Sequence, residues 1–410
     1  MCVKNNVKMF PIKFVLLFLI VTEILFFVGP INWQINNNIL IIFFFLIVNI
    51  ALYWGYRCGL KLKKRRCTPI SNNKLDKIIF FTLLITLLRI YFSFGTLSIS
   101  TIYDQTFYAI HNPGEVYYAK TYETSIPRLI LMSLLALPQY IGMVSGCFYW
   151  KRLSKLYKIL YAVILILEIA SWLSIGVRKG IFDILIIIFA SYFARSYSIV
   201  GSKNVRKYYK YFFLVVCFFL MYFTYSTVAR YGTNVDFYKV LNIKESYYDV
   251  PEYIILPLYF VSIYLCQGYY ALDKAFDIGI IQPNIFNTNF FTINVLERID
   301  PSIMDGSYLS LLERNYGIDP LASWHSIYVW LANGFTFLGV PFVIFIIGYY
   351  FAKSWMSSIY EKNIISVSLF AIHFQMIMYF FANNQVYSFS FVVIVGLFVL
   401  FFFRNLCIKF

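Results

Sequence analysis

Long apolar runs separated by short polar stretches dominate the chain. Runs such as FVLLFLIVTEILFFVG and IIFFFLIVNIALYW approach the about 20 apolar residues that a helix needs to cross a membrane. The sequence does not show the alternating ten-residue segments that are typical of an outer-membrane barrel. The pattern therefore predicts an all-α polytopic membrane protein, with a bundle of helices in lipid as its core.

Ten of these runs are predicted to cross the membrane. They lie at 10–29, 39–56, 78–97, 129–150, 159–175, 181–197, 211–229, 337–352, 364–381 and 388–403. The run YIILPLYFVSIYLCQGYYAL at 253–272 would make an eleventh span and would move every later connector to the other side. Because those later connectors carry Lys and Arg, which favour the cytoplasm, we predict a re-entrant or interfacial segment there.

The charges indicate the orientation of the chain. The net charge is +16, and the most basic stretch, 56–77, carries eight Lys and Arg against one Asp. Nucleic-acid-binding proteins gather such residues on a soluble face. Here they lie in gaps between apolar runs, as expected for cytoplasmic connectors, so both termini are predicted inside and nucleic acid is not a predicted partner.

One long segment, 230–336, is predicted to lie outside the membrane as a large late loop. Residues 1–410 otherwise form a single integral membrane domain. No metal or cofactor is predicted, because the seven Cys are scattered, there are three His, and neither a CxxC nor a DxD occurs.

Arginines near the outer ends of spans are the candidate anion ligands. Arg178 lies in the very short outer connector SIGVRKG, where a guanidinium can grip phosphate oxygens. The alternative for this connector is an interfacial ion pair between Lys179 and Asp183, which are four residues apart on a helix. Arg230 and Arg128 have snorkelling to the interface as their simpler explanation.

Charged residues inside spans need partners or a wet cavity. Arg89 lies in the outer half of the third span and could join the other arginines around one anionic headgroup. Glu168 lies in the fifth span, and its partner is not evident from the sequence.

A histidine near the end of the long segment is the candidate for proton transfer. His325 is followed by Tyr328 and preceded by Asp319, which is either its partner or a residue at a helix start. The alternative for His325 and Tyr328 is an aromatic belt at the interface with Trp324.

The stretch DPLASWHSIYVWLANGFTFLGV resembles the segment that closes the large periplasmic loop of O-antigen polymerases (Wzy) and the related O-antigen ligases. In that family a His or polar residue precedes an aromatic by three positions, and a glycine pair comes just before a span. His325, Tyr328 and Gly339 match, whereas Thr336 stands where the first glycine is expected. The connector SIGVRKG similarly resembles the family's SRG-type turn, with Arg178 on the arginine.

The resemblance implies a GT-C-like glycosyltransferase in the bacterial inner membrane that works on the periplasmic face without metal or nucleotide sugar. Such polymerases move a growing glycan from undecaprenyl diphosphate onto a new lipid-linked repeat unit. Implied partners are those glycans, membrane lipids, a chain-length co-polymerase and a flippase. In this scheme Arg178 and Arg230 would stabilise the leaving diphosphate, and Arg89 and Arg128 would help to bind it. A base near His325 or a loop carboxylate would deprotonate the acceptor hydroxyl. Tyr328 and Asp319 would contact substrate.

Two alternatives stay open. An O-antigen ligase shares the architecture but uses lipid A–core as the acceptor. A transporter or flippase for lipid-linked sugars would show paired charges at the midplane and repeated halves, and neither is clear in the sequence.

Overall fold

A computed structural model describes residues 5–61, 70–112, 116, 126–176, 179–200, 241–320, 323–382 and 390–407. The predicted span 211–229 lies outside these residues, as do Arg178, Arg230 and the side chain of Arg128.

The described residues are mainly helical, in agreement with the predicted class. The α-helices are α1 Asn5–Val28, α2 Asn38–Gly59, α3 Asn72–Phe94, α4 Ile99–His111, α5 Ile126–Phe148, α6 Lys155–Leu173, α7 Lys179–Arg195, α8 Glu252–Ile278, α9 Phe290–Leu296, α10 Tyr308–Tyr316, α11 Ile327–Glu361, α12 Ile364–Met378 and α13 Phe391–Cys407.

Eight described helices are long and apolar enough to cross a membrane, namely α1, α2, α3, α5, α6, α7, α8 and α11. All but α8 coincide with predicted spans, and the shorter apolar helices α12 and α13 coincide with the last two. The fold is therefore that of a helical multi-pass membrane protein, as the hydropathy pattern predicted.

The chain divides into two compact units. The first comprises Met1–Lys61, Arg206–Lys353 and Met376–Phe389, and the second comprises Leu62–Val205, Ser354–Gln375 and Ser390–Phe410. The predicted single membrane domain stays a prediction.

In the first unit, α2 and α11 pack closely and run in the same direction. A Cβ on Gly55 would meet the Phe345 carbonyl oxygen at 2.0 Å, and one on Gly59 would meet the Tyr349 oxygen at 2.2 Å. From the first contact to the second, the contacting residues move four positions towards the C-terminus in both helices, so the helices are parallel. Gly55 and Gly59 form a small-xxx-small pair, which lets two backbones approach in lipid.

This parallel packing limits the topology. The chain leaves α2 and enters α11 on opposite sides of the membrane, so it crosses an odd number of times in between. Helices α3, α5, α6 and α7 account for four crossings if each crosses once. The number of crossings that remains between α7 and α11 is then odd.

The contacts of α8 favour its predicted interfacial or re-entrant placement. At its middle, the Ser262 hydroxyl lies 3.3 Å from a Cβ placed on Gly29, where the α1–α2 connector begins. At its far end, Asp273 accepts from the N–H groups of Asn36 and Asn37, where that connector finishes, at 3.0 and 2.9 Å. The part of α8 that precedes Ser262 is about 15 Å long. This is half the thickness of a hydrocarbon core of about 30 Å, so it is too short to cross the membrane.

Helix α11 contains a sharp break at Thr336, where the backbone has φ 57° and ψ 166°. This conformation is essentially confined to glycine, because a Cβ clashes there. The predicted span began at Phe337, just after the break, whereas the helix begins ten residues earlier at Ile327. The C-terminal end of the predicted 230–336 loop is therefore helical, and Tyr328 lies within that helix.

Candidate functional site

The second unit contains a buried polar cluster that joins three apolar helices. Arg89 of α3 points Nη1 at Glu168 Oε2 of α6, 3.1 Å away, and also donates to Gln139 Oε1 of α5. Gln139 in turn donates from Nε2 to Glu168 Oε1. Glu168, whose partner the sequence did not reveal, is thus paired with Arg89, which was predicted inside the third span.

The cluster keeps its cation partly accessible. The side chain of Glu168 is 4% exposed, whereas that of Arg89 is 22% exposed. In a low-dielectric setting a carboxylate that is bonded twice holds a guanidinium in one orientation.

Helix α7 carries a second ion pair at its start. Lys179 Nζ lies 2.7 Å from Asp183 Oδ2, and the two side chains are 21% and 15% exposed. This is the i,i+4 pair that the sequence offered as the simpler explanation of the connector. Arg178 directly precedes Lys179, and the preceding turn contains Gly176 at φ 68°.

Both ion pairs lie in one layer of the second unit, which we call the outer polar layer and define as Arg89, Gln139, Tyr140, Glu168, Lys179 and Asp183. Arg89 and Glu168 each lie five residues before the ends of α3 and α6, and Asp183 lies four residues after the start of α7. At 1.5 Å per residue these charges lie about 6–8 Å inside the helix ends on the predicted outer side.

The relative directions of the helices agree with the predicted topology. Ser93 and Ser171, one turn beyond Arg89 and Glu168, approach to 3.3 Å, so α3 and α6 are parallel. Gln139 of α5 contacts Glu168 of α6, and four residues later along α5 the Met143 carbonyl accepts from Tyr161, seven residues earlier along α6, so α5 and α6 are antiparallel. These are the orientations expected for the third, fourth and fifth predicted spans.

The outer polar layer also contains two polar atoms without partners. Among the residues that the structure describes, neither the Tyr140 hydroxyl nor Asp183 Oδ1 has a hydrogen bond. Tyr140 is 8% exposed. Gln139 and Tyr140 were not singled out in the sequence, because an apolar run with a single amide carries no local signal.

In the first unit, His325 is fully buried at 0% exposure. Its Nδ1 lies 3.1 Å from the Ser323 carbonyl. The next residue, Ser326, donates its N–H to the Gly268 carbonyl of α8 at 3.2 Å, and Ile327 donates to Phe380 at 2.9 Å. The segment that contains His325 therefore packs between α8, the start of α11 and the turn that follows α12.

Tyr328 belongs to an aromatic core. It is 1% exposed and its ring lies edge-on to Phe44 and Phe380, with centroids 5.5 and 5.9 Å apart. Asp319 is half-buried, and its carbonyl accepts from the Ser323 N–H at 2.7 Å. Direct contact of Tyr328 with a sugar, as the sequence suggested, would require that core to open.

The proposed arginine cluster is thus seen in part. Arg89 has a defined setting in the second unit, and His325, Tyr328 and Asp319 are placed in the first unit. Among the described residues, no group of three or more His, Cys, Asp or Glu is arranged to hold a metal ion. Comparisons with protein families, curated proteins and solved structures found no match for this chain.

Proposed function

We propose that this protein is a membrane glycosyltransferase that polymerises lipid-linked oligosaccharide repeat units on the outer face of the bacterial inner membrane. The donor would be a glycan on undecaprenyl diphosphate, and the acceptor would be a second lipid-linked repeat. The proposal combines the resemblance of the SWHSIYVWLANGFTFLG segment with the chemistry of the outer polar layer.

The observation that carries the proposal is the Arg89 cation, held by Glu168 and Gln139 about two turns or less from the helix ends. A lipid diphosphate has its lipid tail in the hydrocarbon and its charges at the headgroup, so its phosphates reach this depth. A positioned guanidinium can bind phosphate oxygens and stabilise the charge that grows as the diphosphate leaves. Arg178 and Arg230 remain the other proposed cations.

The burial of His325 favours a positioning role over a direct one in this reaction. A base must reach the acceptor hydroxyl by hydrogen bonding, and His325 is closed in by α8 and α11. The proton acceptor is then better sought among carboxylates with some exposure.

The test is elongation by purified protein. The full chain, reconstituted in liposomes with a defined lipid-linked repeat, should give a ladder of longer lipid-linked products. The ladder should persist in EDTA and without any nucleotide. Absence of the ladder under conditions in which the protein is folded would reject the proposal.

A transporter or flippase is a second candidate, because the described part of the second unit has ion pairs within span-length helices, Arg89–Glu168 and Lys179–Asp183. Their position near the helix ends is less typical of a transport site, which lies near the midplane. Movement of a labelled lipid-linked repeat across the liposome membrane, without elongation, would support this alternative.

The ligase alternative is tested by gene deletion. Loss of a polymerase leaves one repeat attached to lipid A–core, whereas loss of a ligase leaves none.

A further inference from the structure

Helix α4, Ile99–His111, lies where α3 ends on the predicted outer side, and it packs against α3 and α6. Gly95 closes α3 with φ 71°, and residues 95–98 join α3 to α4. The 13 residues of α4 form about 20 Å of helix, which is too short to cross a hydrocarbon core of about 30 Å. Helix α4 therefore begins close to the membrane boundary and does not form a span.

The surface of α4 has three sides, because successive residues of a helix are about 100° apart around its axis. One side packs on the neighbouring helices and contains the buried Ala109 with the half-buried Ile102 and Gln105. The remaining half of the circumference is exposed. It is itself divided into an apolar part and a polar part.

The apolar part, which we call the apolar arc, consists of side chains that lie within about 80° of one another around the axis, namely Ile99, Tyr103, Phe107 and Ile110. These side chains are between 37% and 83% exposed. The rings of Tyr103 and Phe107 stack with their centroids 6.0 Å apart, which makes the apolar surface continuous. A continuous apolar surface is unfavourable in water and marks a contact with lipid or with protein.

The polar part, which we call the polar arc, lies directly beside the apolar arc and consists of the exposed residues Ser100, Asp104 and His111. Ionisable side chains are costly in hydrocarbon, so these positions require water. A helix with one apolar and one polar arc lies in the plane of the lipid–water boundary, with the apolar arc towards the acyl chains. Tyr103 fits this depth, because tyrosines are enriched at membrane interfaces.

The two helices that α4 contacts are themselves exposed to lipid. Leu88 and Tyr91 of α3 and Ile166 of α6 are exposed apolar side chains on span-length helices. Such side chains face the acyl chains of the bilayer. Lipid therefore borders the place where α4 joins these helices, and this favours lipid over a soluble partner as the cover of the apolar arc.

We infer that α4 is an interfacial helix whose apolar arc binds the outer lipid surface, with the helix axis in the plane of the membrane. The inference goes beyond the proposed reaction and does not depend on it. Because only residues 95–98 join the two helices, a bound α4 fixes the depth of the end of α3. It thereby fixes the depth of Arg89, which lies five residues before that end.

Two pairs of neighbouring residues provide matched positions for a test, Tyr103 with Asp104 and Ile110 with His111. The members of each pair lie at almost the same point along the helix axis but on different arcs. In a chain without its native cysteines, each of the four is replaced singly by cysteine and labelled with a nitroxide, and the full chain is reconstituted in liposomes. Electron paramagnetic resonance then measures collisions of the label with oxygen, which concentrates in lipid, and with a water-soluble nickel chelate.

The ratio of oxygen to nickel collisions should be several-fold higher for Tyr103→Cys than for Asp104→Cys, and likewise for Ile110→Cys than for His111→Cys. Equal ratios within each pair would overturn the inference. Few collisions with either reagent at Tyr103→Cys would mean that protein, such as a second copy of the chain, covers the apolar arc. A ratio that changes steadily along the helix would mean that α4 dips into the membrane. Either result would also overturn the inference.

A second measurement covers the case in which a labelled variant does not fold. Tyr103→Asp puts a charge on the apolar arc, whereas Ser100→Asp puts the same charge on the polar arc. Both positions are exposed, so neither change disturbs packing inside the protein. Tyr103→Asp should lower the melting temperature of the protein in liposomes, and Ser100→Asp should leave it unchanged. Equal melting temperatures for the two variants would overturn the inference.

Discussion

Arg89 Nη1 and Glu168 Oε2 lie 3.1 Å apart in the described structure, although 79 residues separate them along the chain. Each is a charge in an apolar helix, and each would be costly alone. Together with Gln139 they form a bonded unit that orders three helices. Whether this unit serves stability alone or also holds substrate can be tested by separating the two effects.

Breaking the pair on one side should destabilise the protein. Glu168→Leu leaves the Arg89 charge in an apolar setting, and we expect a loss of about 3 kcal/mol, as for buried pairs that lose one partner. Thermal unfolding in detergent measures this. The matched control is Glu23→Gln. Glu23 is a buried carboxylate that accepts from the neutral Asn49 at 2.9 Å, so its replacement leaves no partner with an unpaired charge.

Replacing both partners should separate stability from activity. In Arg89→Met/Glu168→Leu no charge is stranded, so most of the stability should return. Elongation should still be lost, because the guanidinium is absent. A double variant with both wild-type stability and wild-type ladders would restrict the pair to a structural role.

Thr336→Gly should stabilise the protein. Thr336 holds a backbone conformation that costs a residue with a Cβ about 1–3 kcal/mol, and glycine removes that strain. Thr336→Ala is the control, because it deletes the hydroxyl and keeps the Cβ. A higher melting temperature for the glycine variant than for the alanine variant is expected, and equal values would contradict the strain.

Both ends of α8 should be labelled from the outer side. In a chain without its native cysteines, Asp249→Cys and Ile280→Cys should both react in intact cells with a membrane-impermeant thiol reagent. Both residues are exposed and flank the helix. Asn36→Cys serves as the outer control and Lys61→Cys as the inner control. Labelling at Ile280 without labelling at Asp249 would mean that α8 crosses the membrane.

Gly55→Val should weaken the contact of α2 with α11. The valine side chain would overlap with the backbone of Phe345, and a helix backbone cannot move aside as easily as a side chain can. We expect a loss of about 1–3 kcal/mol from overpacking. Leu46→Val on the same helix is the control, because Leu46 is 55% exposed to the surroundings and should change the melting temperature little.

His325→Asn and His325→Ala should differ. Asn can keep the short hydrogen bond to the Ser323 carbonyl that Nδ1 makes at 3.1 Å, so it should retain folding and a measurable rate. Ala cannot, and it also leaves a cavity at a fully buried site. Complete loss of activity in a stably folded His325→Asn would instead support the direct proton transfer that the sequence suggested.

The membrane-spanning helices were predictable from local pattern. Lipid requires about 20 apolar residues in each spanning helix, so hydropathy alone locates the span-length helices that the structure describes, including α8 as the run 253–272. The Lys179–Asp183 pair was also predictable, because its members are one helical turn apart. Both are properties of short stretches.

The partners of the buried charges were not predictable in this way. Glu168 lacks a local partner, and its bond to Arg89 depends on the parallel packing of α3 and α6. The placement of α8 depends on its bonds to a connector more than 200 residues earlier in the chain. Hydropathy determines which residues lie in lipid and which lie in water. The contacts that build a site join side chains of different helices, and only the packing of the helices brings those side chains together.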